Sequence, residues 1–261
     1  MKKKTNSGKK NQASDFAYAP TALEHLNGLM SLNQKAMKTL VDRTVNDVKS
    51  GKSVFVFGSG HSSLLPLELF HRAGGSSFII PVVADFLMPQ AGPPVVRVTE
   101  RTPGLAMTLL RRLQPRKGEM LWIMSQSGIN AAGIDVALEA KKMGLYTVAF
   151  TSKVHSSAVA ARHPSGKRLF EVCDLTIDLG GRVGDACVAL NNPKSKTGPV
   201  MAGPLSTLGA VFLGHTVVVE ACAQLEASGH SCVYTSVNTP EGESRNRAIE
   251  EKAALRDPLL R

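Results

Sequence analysis

The chain alternates between short, continuous apolar runs and longer segments whose apolar residues recur with helical periodicity. Each short run has the length of a buried strand and is followed by turn-forming residues. The runs lie at residues 53–57, 77–81, 119–124, 146–150 and 173–177. Helical periodicity occurs at residues 62–73, 105–113, 130–143 and 205–227. This order predicts an α/β protein with a doubly wound, flavodoxin-like sheet of five parallel strands and helices on both faces.

Two helical segments carry more apolar surface than one sheet needs. Residues 21–49 predict one or two amphipathic helices, ended by Ser50-Gly51. The apolar stretch 208–227 is interrupted by polar side chains, which favours a buried or interface helix over a membrane span. The surplus of hydrophobic faces predicts a homo-oligomer, a dimer or a tetramer, without membrane attachment.

Composition and charge restrict the class of protein. With 261 residues, 43% of them hydrophobic, the chain can form one large domain, expected over residues 21–246 with a C-terminal extension at 247–261. The formal net charge is +10, but five lysines lie within the first ten residues, which predicts a disordered basic tail at 1–20. Without a nucleic-acid-binding motif, a nucleic acid partner is not expected. Four cysteines without a C-x-x-C pair, and no signal peptide, indicate the cytoplasm.

Two strand–loop–helix units carry bursts of Gly and Ser after their strands. Such loops place backbone N–H groups and hydroxyls at a helix N-terminus, where a phosphate binds favourably. The same serines could instead be ordinary helix N-caps. Hydroxyls after the fourth strand add to the set, so we expect one anion site at the carboxyl ends of the strands. The residues expected to bind the ligand are Gly58, Ser59, Gly60, Ser62, Ser125, Gln126, Ser127, Asn130, Thr151 and Ser152.

The first of these loops does not fit a dinucleotide site. The spacing Gly58-x-Gly60-x-x-Ser63 has Ser where the fingerprint has Gly or Ala. The second strand ends in Pro81-Val82, where a ribose-binding acidic residue would be expected. No spacing of His, Cys, Asp and Glu predicts a metal site. We therefore expect neither a nicotinamide nor a metal cofactor.

Motifs in and around these loops resemble the SIS (sugar isomerase) domain family, most closely its stand-alone bacterial proteins. The resemblance extends from about residue 22 to residue 246. It implies a phosphorylated sugar as ligand, with the Ser/Thr-rich loops as the phosphate site. The matching segments are Gly58-Ser59-Gly60-His61-Ser62, Glu68-x-x-x-Arg72-Ala73-Gly74-Gly75, Ser125-Gln126-Ser127-Gly128-Ile129-Asn130, Thr151-Ser152, His163-Pro164-Ser165-Gly166-Lys167-Arg168-Leu169, Gly184-Asp185-Ala186 and Ser236-Val237-Asn238.

The resemblance leaves three functions open. SIS domains serve as aldose/ketose isomerases, as an etherase that cleaves a lactyl ether from a muramic acid phosphate, and as sugar-phosphate sensors without turnover. Isomerisation through an enediol is the leading hypothesis for this chain. It needs a base that moves a proton between neighbouring carbons.

Glu68 is the candidate for that proton transfer, and His61 is a second candidate for contact with a sugar oxygen or for proton shuttling. Glu68 could instead form an i, i+4 ion pair with Arg72. The apolar surroundings of His215 suggest a core histidine. Phosphoheptose isomerases carry a metal-binding Gln and His on the corresponding late helix, and no equivalent pair is recognisable here.

Two connections are long. Residues 82–104 contain four prolines and the pair Glu100-Arg101, and residues 151–171 contain His155 and His163. Connections of this length are usually functional lids or interface elements. Packing of either loop on a second subunit is the alternative.

Overall fold

The computed structural model describes residues 16–190, 194–196 and 198–260. Its main sheet has five parallel strands in the order β2-β1-β3-β4-β5. The chain therefore starts near the middle of the sheet, moves to one edge and returns to build the other side. The strands are β1 (Val54–Gly58), β2 (Ile79–Val82), β3 (Met120–Met124), β4 (Tyr146–Thr151) and β5 (Leu175–Asp178). This confirms the predicted doubly wound α/β sheet, with strand boundaries displaced by one or two residues.

Helices cover both faces of the sheet, as predicted. On one face Val56, Trp122 and Phe150 pack with α1, α2 and α8, and on the other Phe55 and Leu121 pack with α4, α5 and α7. Both faces are apolar because a parallel sheet with crossover helices excludes water from both sides. The helices are α1 (Tyr18–Lys49), α2 (Leu64–Leu69), α3 (Pro93–Thr99), α4 (Met107–Leu113), α5 (Ala131–Lys142), α6 (Lys153–Ala158), α7 (Leu169–Val172), α8 (Ser206–Ala227) and α9 (Gly242–Ala254).

The segment predicted as one helix at 62–73 is shorter and has two parts. A 3-10 turn at Gly60–Ser63 leads into α2, which ends at Leu69. The chain then turns through His71 at φ +36° and Gly74 at φ +75°, in the left-handed region. This turn lets Phe70 bridge to Ser76 next to the sheet. Apolar periodicity continued past Leu69, but the turn interrupts the helix.

The N-terminal segment is one long helix, fixed to the sheet edge by a buried polar side chain. Asn33 Nδ2 donates to the carbonyl of Asp178 at 2.8 Å, and the Asp178 N–H donates to Asn33 Oδ1 at 2.7 Å. The side chain thus continues the hydrogen-bonding pattern of β5, the last strand of the sheet.

Two boundaries of the predicted organisation differ from the structure. The helix α1 already includes residues 18–20 of the predicted tail, while residues 1–15 lie outside the described residues. The helix α9 crosses the expected boundary at residue 246, and beyond it Arg256 Nη2 lies 2.8 Å from the buried Glu119 Oε2. The C-terminal segment is therefore packed onto the domain through a charge pair between distant residues.

An antiparallel pair, β6 (Ala186–Leu190) and β7 (Val200–Pro204), was not predicted. Its strands are largely apolar in sequence but only partly buried. The hairpin contacts the start of α1, where Tyr18 Oη donates to the carbonyl of Pro204 at 2.8 Å.

In the described part of the chain, α8 is the one helix long and apolar enough to cross a bilayer by length and composition. It packs against α1 and α2, and half of its most apolar window is buried inside the protein. Core helices of this kind pass the same test, so nothing here points to a membrane.

Candidate functional site

A cleft opens at the carboxyl ends of β1 and β3. These neighbouring strands are paired in register up to Gly58 and Met124, and their chains leave the sheet in opposite directions. This is the switch point where doubly wound proteins bind ligands. The cleft has a volume of about 280 Å³. Its walls are formed by Ser59, Ser62, Glu100, Ser125, Gln126, Ser127, Asn130, His155, Gly184 and Asp185.

The loop after β1 is shaped by its glycines. A Cβ on Gly58 would lie 2.1 Å from the carbonyl oxygen of Ser62, so the tight return of the chain requires glycine. Gly60 has φ +58°, also favourable for glycine. Gly58 itself is buried at the end of the strand, so its role is to shape the loop. Ser59 and Ser62 then face the cleft.

The loop after β3 is held from beneath. The Gly128 N–H donates to Ser125 Oγ at 3.1 Å, and Gly128 adopts φ +61°. Thr151 and Ser152 are fully buried: Thr151 Oγ1 donates to the carbonyl of Gln126, and Ser152 Oγ accepts from the N–H of His155 as the N-cap of α6. Both side chains therefore have protein partners, and their contact with a ligand stays a prediction. They support the loop and do not line the cleft.

Several polar groups in the cleft lack a partner. Within the described chain, the hydroxyls of Ser59, Ser62 and Ser127 make no hydrogen bond to protein. Gln126 Oε1 is buried and equally unpaired there. Because an unsatisfied buried acceptor costs about 1–3 kcal/mol, this arrangement favours a bound group that supplies hydrogen bonds.

The N-terminus of α5 adds a fixed dipole. Asn130 is the N-cap residue of this 12-residue helix, but its side chain makes no capping bond. Its Oδ1 accepts from Arg162 Nη1 at 3.0 Å, and its Nδ2 makes no hydrogen bond within the described residues. The amides of the first turn and the helix dipole together favour an anion in front of the loop.

A second cavity of about 310 Å³ adjoins the cleft. The two share Ser59 and Glu100 as walls. His61, one of the expected catalytic residues, lines this second cavity, and so does Gly60. The remaining walls are Pro89, Pro93, Val96, Arg97 and Arg101. The long loop 82–104 therefore forms most of the second cavity.

Sequence reasoning did not place Glu100, His155 or Asp185 in the site. They come from three separate connections, so no local spacing relates them to the Ser/Gly loops. Asp185 also caps α8: its Oδ1 accepts from the Ser206 N–H at 2.9 Å, and its Oδ2 accepts from Ser206 Oγ at 2.7 Å. The signal that could have found them is the unusual length of the two loops and the Gly184-Asp185 pair.

Glu68 does not line the cleft. It lies in a separate groove of about 540 Å³ with Leu64, Leu67, Thr207, Leu208 and Val211. The predicted i, i+4 ion pair with Arg72 is present, and His215 Nε2 lies 3.2 Å from Glu68 Oε1. Burial, reinforced by the charge of Arg72, lowers the pKa of His215. The histidine assigned to the core thus forms a carboxylate–imidazole pair on a partly exposed groove.

Metal ligands are sparse. In the described residues, no three His, Cys, Asp or Glu side chains come together as a possible metal group. The expectation that the protein works without a metal or nicotinamide stays a prediction.

Comparison with known proteins identifies the family. Residues 17–152 match the family model of the SIS domain. The chain belongs to the SIS domain family. It is 34% identical to a UPF0309 protein of Shouchella clausii over 84% of this chain and 88% of the relative. It is 32% identical to a UPF0309 protein of Oceanobacillus iheyensis over 90% and 94%. The predicted resemblance to stand-alone bacterial SIS proteins is confirmed.

Solved structures agree on the fold. The phosphoheptose isomerase of Francisella tularensis superposes with a TM-score of 0.52 at 13% identity, covering 79% of this chain and 95% of that one. The phosphoheptose isomerase of Neisseria gonorrhoeae gives a TM-score of 0.52 at 11% identity, covering 80% and 94%. At such identities the similarity shows the SIS fold.

Proposed function

We propose that this protein binds a phosphorylated sugar in the cleft between the β1 and β3 loops and interconverts its aldose and ketose forms. The observation that carries the proposal is the set of unpaired hydroxyls of Ser59, Ser62 and Ser127 in the cleft, whose walls also include Asn130 at the N-terminus of α5. Hydroxyls, amides and a helix dipole suit a phosphate, and the described walls of this cleft include no Lys or Arg. The fold shared with two phosphoheptose isomerases supports the same ligand class.

Isomerisation requires a proton to move between neighbouring carbons through an enediol. Glu68 and His61 keep the catalytic roles proposed from the sequence. The contact with His215 strengthens the case for Glu68, because a neutral imidazole beside a carboxylate can exchange a proton with a substrate oxygen. Glu68 lies outside the cleft walls of a single chain, so this role requires that the groove reach the substrate in the working assembly.

We propose that this assembly is a homo-oligomer. Exposed apolar side chains cluster on the three helices next to the Glu68 groove: Leu23 on α1, Leu64 and Leu67 on α2, and Leu208 and Val219 on α8. A second copy of the chain would cover this surface. Light scattering should show a dimer or tetramer that dissociates in Val219→Asp, whereas the exposed Val98→Asp on α3 should leave the mass unchanged.

One observation favours a second candidate, a sugar-phosphate sensor without turnover. The ion pair of Glu68 with Arg72 is what a purely structural glutamate would show. A lyase or etherase that uses Glu68 as acid and base is the third alternative, and no contact among the described residues favours it over the other two.

The test begins with a thermal-shift panel of sugar phosphates, their unphosphorylated parents and inorganic phosphate. A ligand at 100 times its dissociation constant stabilises by about 2.7 kcal/mol, which is readily measured. NMR in deuterated water then follows exchange of the C1 or C2 proton of the tightest ligand, with and without EDTA and without added nicotinamide. Exchange and a new isomer support the isomerase. Binding without exchange across the panel supports the sensor, and stabilisation by the free sugars alone contradicts the phosphate site.

A further inference from the structure

We infer that Glu100 is the specificity residue of the cleft: its carboxylate accepts hydrogen bonds from the hydroxyl groups of the sugar and so distinguishes a phosphorylated polyol from simple phosphate. This inference rests on the proposed function, because it assumes that a sugar phosphate occupies the cleft.

Glu100 lies between the two cavities. It directly follows α3 and forms the wall common to the hydroxyl-lined cleft and the second cavity. An ideal Cβ on Gly60 would lie 3.8 Å from Glu100 Oε2, so the carboxylate sits against the β1 loop. A ligand whose phosphate occupies the cleft must pass this carboxylate to reach the second cavity.

The backbone of Glu100 is held on both sides. Its N–H donates to the carbonyl of Val96 at 2.9 Å, and its own carbonyl accepts from the Ala132 N–H at 2.9 Å. The second bond joins the loop to the first turn of α5, the helix that faces the proposed phosphate. The main chain of Glu100 is therefore held in a fixed position relative to the anion site, which a specificity residue requires.

The carboxylate oxygens of Glu100 can accept hydrogen bonds but have no donor in the described protein around them. Within the described residues, no hydrogen bond and no ion pair engages its oxygens. Burial raises the pKa of Glu100, although Arg101, Arg162 and Arg97 lie close enough to oppose this rise. An ionised carboxylate accepts hydrogen bonds at both oxygens. Sugar hydroxyls supply such donors, whereas a second phosphate would be repelled.

The size of the two cavities agrees with an extended ligand. Each has a volume of about 300 Å³, at the lower limit of small-molecule sites. A phosphate alone fills neither. A sugar phosphate that spans both cavities would place its hydroxyl-bearing carbons beside Glu100. The end of the sugar farthest from the phosphate would then lie near Arg97 and Arg101.

Isothermal titration tests this role with two probes, the tightest sugar phosphate of the thermal-shift panel and inorganic phosphate. Glu100→Ala should weaken sugar phosphate binding by about 10- to 100-fold, the range for hydrogen bonds to a charged group. Inorganic phosphate binding should stay within about twofold of wild type or tighten. Glu100→Gln, which keeps one neutral acceptor, should lie between wild type and Glu100→Ala. Asp85→Ala removes an exposed carboxylate of the same loop and should change neither affinity.

The outcomes separate this inference from the proposed function. If wild-type protein binds sugar phosphates but Glu100→Ala weakens both probes equally, or weakens neither, the specificity role is wrong and the sugar phosphate site stands. If wild-type protein binds no sugar phosphate more tightly than inorganic phosphate, the specificity role of Glu100 and the sugar phosphate site are both contradicted. Melting temperatures of all variants show whether a loss of affinity reflects unfolding.

Discussion

His215 Nε2 lies 3.2 Å from Glu68 Oε1, although 147 residues separate them in the chain. Helix α8 brings the histidine to α2, and Arg72, which lies after the end of α2, contacts the same carboxylate. Burial and the nearby guanidinium lower the pKa of His215, which favours the neutral imidazole. A neutral donor beside a carboxylate is suited to proton transfer, whereas two fixed charges would form only an ion pair.

If Glu68 transfers the proton, its substitution should lower turnover while leaving the stability of the protein almost unchanged. Glu68→Gln should retain sugar phosphate binding and lose at least about 10²-fold in turnover, since general acid/base catalysis contributes about 10² to 10⁴. Its free energy of unfolding should change by less than about 1 kcal/mol, because exposed ion pairs contribute little. Solvent deuterium exchange and urea unfolding measure the two effects. Glu243→Gln, which breaks the exposed Arg247 pair on α9, is the matched control. Unchanged turnover in Glu68→Gln would remove Glu68 from the mechanism.

Two serines of the β3 loop should behave differently. Ser127 makes no side-chain hydrogen bond to the described protein, so Ser127→Ala should cost about 1.5 to 3 kcal/mol in sugar phosphate binding with little change in stability. Ser125 accepts from the Gly128 N–H, so Ser125→Ala should lower the melting temperature as well as the affinity. Titration calorimetry and thermal unfolding distinguish them. A Ser127→Ala protein that binds normally and melts earlier would make Ser127 a helix cap.

The affinity for the sugar phosphate should depend on pH through Glu100. Its carboxylate faces Arg97, Arg101 and Arg162, yet burial dominates and raises its pKa. The ionised form accepts the sugar hydroxyls, so affinity should fall as pH is lowered through this raised pKa. His61, His155 and Asp185 also line the two cavities, and the ligand phosphate titrates near pH 6. Subtracting the pH profile of Glu100→Gln isolates the Glu100 contribution. Identical profiles for the two proteins would contradict it.

Asn33 should be a strong stability determinant. Asn33→Ala removes two hydrogen bonds to Asp178 and leaves part-buried backbone groups of β5 unpaired, which should cost about 2 to 4 kcal/mol. Urea unfolding measures this. Asn27→Ala, an exposed change on the same helix, should stay within about 0.5 kcal/mol. Equal effects would mean that helix propensity, and not the link to the sheet edge, sets the stability.

The C-terminal segment should stabilise the domain through Arg256. Removing it leaves the buried Glu119 carboxylate with Arg116 at 3.3 Å as the remaining charge partner, so Arg256→Ala should cost about 3 kcal/mol. Arg247→Ala on α9 breaks only an exposed pair and serves as the control. Chemical unfolding of the full-length variants provides the comparison, and near-equal stabilities would show that the C-terminal contact is dispensable.

The sequence by itself determined the five-stranded parallel sheet and the family. Continuous apolar runs such as Val54–Phe57, separated by segments of helical periodicity, are typical of parallel strands buried on both faces and joined by crossover helices. The Gly/Ser bursts after β1 and β3 were readable because the backbone geometry of a tight loop demands particular residues: Gly58 has no room for a Cβ, and Gly128 has a positive φ.

Only the tertiary structure decided which polar groups meet. Thr151 and Ser152 carry hydroxyls like Ser127, but packing buries the first two beneath the loop and leaves Ser127 on the wall. Glu100 reaches the cleft, and His215 reaches Glu68, through contacts between segments far apart in the chain. Hydrophobic periodicity indicates which face of a single helix or strand is buried. The meeting of two elements depends on the packing of all the others, which no local pattern contains.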